Sequence, residues 1–179
     1  MKSSPESPIT EPLIGRGMAP PTSIGIVFEP MLQLVSSMRR FVLTIYQRIL
    51  ADEAASSEMA LVTHELLENA VKFNTDSGTM LRVSLTREAD HHIVVIRTRN
   101  RAAPEDIRVA QDLVARVRDA EDPYLLYLQM IGSASLQSTG SGLGLARIRA
   151  ETAMTVEVNV VGDEIELVAR AQIPIGGAP

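Results

Sequence analysis

In the stretch VTHELLENAVKFNTDSG, residues 62–78, a glutamate and an asparagine, Glu65 and Asn69, stand one helical turn apart. Spacing of four places the two side chains above one another, with Lys72 three residues beyond Asn69 and His64 on a different azimuth. A carboxamide oxygen is a neutral ligand for a hard divalent cation, and a carboxylate beside it polarises or deprotonates a water or a hydroxyl. The alternative is a pair of half-exposed helix residues without chemistry. A second run, TGSGLGLARIRAE, sets Gly140, Gly142 and Gly144 just before a helical segment carrying Leu145, Ile148 and Met154. Glycines admit close backbone approach, and the unpaired amides at a helix start donate to phosphate oxygens, helped by the helix dipole. The run lacks the lysine of a P-loop and does not open a βαβ unit after a first strand, so it encodes neither of those sites.

A helix has to carry Glu65 and Asn69, and a frame has to carry the helix. ADEAASSEMALVTHELLENAVKF aligns Met59, Val62, Leu66, Ala70 and Phe73 on one face, with Ser56 or Ser57 as its cap, and stops at NTDSG. Before it, MLQLVSSMRRFVLTIYQRIL repeats Leu34, Met38, Val42, Ile45 and Ile49 at helical spacing with Arg39, Arg40, Gln47 and Arg48 outward. The short link makes these two helices neighbours. TMLRVSLTREA and HHIVVIRTRN read as a hairpin around Asp90; the first alternates through Leu81, Val83 and Leu85, and the second is nearly continuously apolar, as a central strand is. PEDIRVAQDLVARVRDA is a helix opened by Pro104 with acidic residues in its first turn, and DPYLLYLQMIGSAS is a shorter helix. MTVEVNVVGDEIELVARAQI closes as an antiparallel hairpin over Gly162 and Asp163. The expected class is α+β, an α/β sandwich with a mixed, largely antiparallel sheet covered by helices on at least one face.

The 179 residues suffice for one domain with an arm: residues 1–22 are rich in Pro, Ser and Gly and predict a flexible arm, and residues 23–175 the domain. With no cysteine, structural disulfides and thiolate metal sites are excluded. A net charge of −5, with both signs interspersed, gives no basic field for nucleic acid and no polybasic arm for a membrane. There is no apolar signal region and no bilayer-length apolar run, so the expected address is the cytoplasm.

The two motifs, in this order and separation, resemble those of the GHKL ATP-binding superfamily, which includes histidine-kinase ATPase domains and the serine kinases that act as anti-sigma factors. ELLENAVKFN is similar to its N-box and GSGLGLARI to its second glycine box, and the resemblance spans residues 28–173. It implies the Bergerat fold, ATP and Mg²⁺. Glu65 then stands at the general base and Asn69 at the magnesium ligand, while Lys72 neutralises developing charge. Gly140, Gly142 and Gly144, with Leu143 between them, stand at the phosphate-contacting loop, and residues 122–144 at the ATP lid.

One departure narrows the match. Superfamily members carry Asp-x-Gly-x-Gly after the second strand, the aspartate accepting from the adenine amine, whereas VVIRTRNRAAPEDI has neither that aspartate nor any glycine. Thr98 or Asn100 falls near the missing carboxylate, and the Asn100 amide oxygen can accept from an amine. This pattern is similar to that of a divergent bacterial branch, the SiaB-like serine/threonine kinases. The implied activity is transfer of the ATP γ-phosphate to a small regulatory partner, anti-sigma-antagonist-like or SiaC-like, in a partner-switching circuit. Two other readings stay open: an inactive GHKL-fold module that binds a regulatory partner, and a homodimer made through the helix over 31–50. Weaker candidates are His91 and His92, read as a solvated turn; Tyr124 and Tyr127, read as packing; and Arg97, Arg99 and Arg101, read as a local positive face.

Overall fold

A computed structural model describes residues 22–76, 78–134 and 142–175. Strand β1 (Thr22–Phe28) leads into α1 (Leu32–Leu50) and α2 (Glu53–Lys72), then β2 (Thr79–Arg87), β3 (His91–Arg101), α3 (Pro104–Arg118), α4 (Pro123–Ala134), α5 (Leu143–Glu151), β4 (Thr155–Val161) and β5 (Glu164–Pro174). The five strands form one sheet in the order β1-β2-β3-β5-β4. All four pairings are antiparallel, so the mixed character expected of the sheet is absent among the described residues. β3 is central, as its apolar run predicts. Of the predicted arm, only Thr22 is described, and it opens β1.

β1 is an addition to the expected elements. Ile24, Ile26 and Phe28 pair with Val83, Leu81 and Thr79, on the side of the sheet that faces the helices. With only three inward apolar residues and a glycine between them, this edge strand resembles the proline-rich sequence before it.

Along β3 the buried residues are Val94, Ile96, Thr98 and Asn100, all toward the helices, while the alternate residues face away. On that outer face Arg97 meets Glu166 at 3.5 Å and Arg99 meets Glu164 at 3.9 Å, so the expected positive face is neutralised across the strands. His92, expected in a solvated turn, is instead buried at the start of the inward row, and burial lowers its pKa.

α2 lies on the sheet, with α1 and α5 packed against it. Two-sided cover explains why α2 buries Met59, Val62, Leu66 and Ala70 on the predicted face and also Ala60, Thr63, Leu67 and Val71. On α1 the fully buried row is Val35, Val42, Tyr46 and Leu50, rotated from the predicted stripe; Leu34, Met38, Ile45 and Ile49 are half-buried. The rotation places the Tyr46 hydroxyl 3.1 Å from Thr63 Oγ1 inside the helix pair. Burial then holds the phenol above its ordinary pKa, against the opposing effect of that hydrogen bond.

The cap of α2 is Asp52, not Ser56 or Ser57: its carboxylate accepts from the Ala55 amide at 2.9 Å, and Ser56 is buried inside the first turn. Between the helices Ala51 sits in the left-handed region at φ 55. That conformation costs an L-residue about 1–2 kcal/mol, against the smaller entropic cost of glycine. Ala51→Gly is therefore expected to stabilise the chain by about 0.5–1 kcal/mol in urea unfolding. A lower unfolding midpoint would contradict this.

Candidate functional site

Glu65 lies in the middle of α2 and faces α5. Its side chain is 14% exposed, and its Oε1 is 3.3 Å from Arg147 Nη1. Its other oxygen rests against Gly144, where a β-carbon would collide with Glu65 Oε2 and lie 3.3 Å from Cδ. Glycine at 144 is thus what lets α5 approach the carboxylate. Burial raises the Glu65 pKa above the ordinary carboxylate value and outweighs the opposing pull of Arg147 and His64.

One turn further along α2, Asn69 lines a pocket of about 130 Å³ at the end of the sheet. Asn100 from the end of β3, Asp106 from the first turn of α3 and Gly142 from the start of α5 also line it, between walls that include Ala102, Leu113, Ile165 and Leu167. The Asn100 amide nitrogen donates to the Arg101 carbonyl at 3.0 Å, which fixes the amide and leaves its oxygen without a partner among the described residues. The Asn69 side chain likewise has no hydrogen-bond partner among the described residues. Gly142 is the N-cap of α5 with φ 103, a conformation glycine adopts without strain. The structure thus joins an apolar slot, two carboxamides and a helix start beside a half-desolvated carboxylate.

The predicted residues divide accordingly. Asn69, Asn100 and Gly142 share the pocket; Glu65 and Gly144 touch each other, one turn from Asn69 and two residues from Gly142, and are not among the lining residues. Leu143 is the first residue of α5 and half-buried, but Leu145 is the leucine of that helix that lines the pocket. Lys72 is exposed at the last turn of α2, its ammonium 5.3 Å from the Phe73 ring centroid, and is not among the lining residues. Gly140 lies outside the described residues. Thr98 is buried below the pocket with its hydroxyl unpartnered, and Asn100 takes the place at the strand end. Of the predicted lid, α4 packs on α5, and residues 135–141 lie outside the description. Tyr124, expected as packing, is 57% exposed beside Leu125, Leu128 and Ile131.

Two polar residues escaped the sequence reading. Asp106 sits in a helix first turn, where dipole complementarity already accounts for an acid. Arg147 was visible only as one of several surface cations; its spacing of three from Gly144, on the side facing α2, was the available signal.

The pocket fits a nucleotide and a hard cation in the nature of its donors: amide oxygens, a helix start and an apolar slot. Among the described residues no group of three or more His, Cys, Asp or Glu converges as a protein-only metal site, so a cation here would share its ligands with phosphate.

Fold and site together define a two-layer α+β domain with a glycine-led pocket beside a half-buried acid. No family model matches the chain, and no curated protein matches it. The crystal structure of the SiaB-SiaC complex from Pseudomonas aeruginosa contains a chain similar to this one, with a TM-score of 0.57 and 14% identity, covering 84% of this chain and 89% of that one. At this identity the likeness is one of fold. Among the described residues no helix is long and apolar enough to cross a membrane.

Proposed function

We propose that the chain is an ATP-dependent serine/threonine protein kinase with a GHKL-type site, phosphorylating a small regulatory partner protein in a partner-switching pathway. The observation that carries this reading is the position of Glu65: a carboxylate 14% exposed, seated against Gly144 at the start of α5 and one turn from pocket-lining Asn69. The fold shared with a chain of the SiaB-SiaC complex supports a regulatory protein as the partner.

In this reading the apolar slot takes the adenine, with the free Asn100 oxygen accepting from its amine. The amides opening α5 receive the phosphate oxygens. Asn69 would hold a magnesium ion, which would supply charge neutralisation at the phosphates. Glu65 orients the partner's hydroxyl and takes its proton as the oxygen bonds to the γ-phosphorus. The bond from that phosphorus to the β-γ bridging oxygen breaks, and ADP leaves.

Titration calorimetry with Mg²⁺ and ATP tests the site. The natural chain is expected to bind saturably and only with magnesium, and Asn69→Ala to weaken binding about tenfold or more, a loss of at least ~1.4 kcal/mol. A folded chain that ignores millimolar ATP would overturn the kinase reading. It would favour the second one, a catalytically inactive GHKL-fold module that binds a regulatory protein. The observation behind that alternative is Asn100, with no glycine after it, where a carboxylate and glycines serve adenine elsewhere in the superfamily.

A further inference from the structure

Arg147 is assigned no role by the motifs, yet it is the side chain that holds Glu65. Its guanidinium bridges two acids: Nη1 lies 3.3 Å from Glu65 Oε1, and Nε lies 3.0 Å from Glu151 Oε2 on its own helix. It is the only cation that the structure pairs with Glu65 among the described residues. Arg147 is also three residues beyond Gly144, so both face α2. Long side chains on a helix lean toward its N-terminus, which for α5 is the glycine-led end beside the pocket. The contact to Glu151 lies one turn toward the other end of α5, and Arg147 is not among the residues lining the pocket; with 41% of its side chain open to solvent it has room to turn toward the start of the helix.

We propose that Arg147 is a latch on Glu65: in the empty site it occupies the carboxylate, and an arriving nucleoside triphosphate draws it onto the terminal phosphate. This rests on the kinase reading and adds regulation to it. A carboxylate tied to a guanidinium is a poor acceptor for a hydroxyl proton. Released in a largely desolvated wall, the same carboxylate is a stronger base. A triphosphate offers the bidentate, multiply charged oxygens that an arginine fork prefers, and a diphosphate ends one group short. The latch thus arms the base only when there is a γ-phosphate to transfer. Arg147 on this account acts on Glu65 in the empty site and on the substrate's terminal phosphate in the filled one.

The test follows the side-chain Nη resonances of Arg147, whose Nη1 meets Glu65, by ¹⁵N NMR in the full chain, assigned through the conservative R147K variant. The β,γ-imido analogue of ATP, with Mg²⁺, is expected to move the resonances, and Mg-ADP to leave them in place. In nucleotide-free Glu65→Gln the resonances are expected to be displaced already. By calorimetry, Arg147→Gln is expected to lose the preference for triphosphate over diphosphate by about tenfold, and R147K to recover part of it. Arg147 Nη resonances unmoved by an analogue that calorimetry shows to be bound overturn the latch and leave the kinase reading standing. No binding of the analogue at millimolar concentration overturns both. The NMR comparison of the two nucleotides uses the natural chain, so it decides the matter even where a glutamine variant fails to fold.

Discussion

Glu65→Gln is expected to lower transfer of labelled γ-phosphate to the partner protein by about 10²–10⁴-fold, the usual contribution of a positioned general base. Nucleotide affinity should be no weaker, because glutamine keeps the shape and removes a negative charge beside the phosphates. Stability should move the other way from activity. The folded Glu65 carboxyl titrates above its unfolded value because burial outweighs Arg147. A raised pKa contributes stability that is fully present below the unfolded value and is lost as pH rises through the folded one. At neutral pH the ionised carboxylate is thus a liability, and the glutamine variant should melt at a higher temperature than the natural chain. The difference should vanish below the ordinary carboxylate range. Undiminished transfer by the variant would remove Glu65 from the chemistry, and a melting difference that grew on acidification would reverse the sign argued here.

Gly142→Ala should act chiefly on binding. The residue has φ 103, and an added β-carbon would lie 2.6 Å from Leu113 Cδ2. Strain in the left-handed region and overpacking each cost about 1–3 kcal/mol, so a total loss near ~3 kcal/mol is expected in denaturant unfolding. The Leu113 methyl can turn aside from the contact, but the φ of 103 strains alanine itself, and a first turn of α5 that relaxes this strain takes its amides off their aim. ATP affinity should fall about tenfold or more by calorimetry. Adding Leu113→Ala should relieve the collision and leave the backbone strain, recovering part of the stability. Wild-type affinity in the single variant would show that this helix start does not hold phosphate.

The parts of the site that local patterns specify were legible. Four-residue spacing placed Glu65 and Asn69 on one helix, and a glycine-rich run ahead of Leu145 marked the start of α5. Both hairpins followed from alternation and turn residues. What escaped depends on tertiary placement. The α1 row is rotated because Tyr46 reaches Thr63 on a neighbouring helix, a hydrogen bond that no periodicity encodes. Arg97 and Arg99 read as a positive face until β5, over sixty residues later, lays Glu166 and Glu164 beside them. Asp106 and Arg147 enter the site through the packing of α3 and α5, and each already had an ordinary surface explanation. β1 escaped because an edge strand buries one side of three residues, too little apolar signal to stand out from prolines and serines.

The burial of α2 on both sides has a consequence for breathing motions. Its central amides are enclosed by α1, α5 and the sheet, so backbone deuterium is expected to reach them through unfolding of the whole domain. α4, with Tyr124, Leu125, Leu128 and Ile131 turned to water, is covered on one side and can open alone. Glu65 and Asn69 are therefore expected to ride a slow-exchanging segment, while α4, packed on α5, opens more readily. Partial opening of α4 would leave the spacing of Glu65 and Asn69 undisturbed.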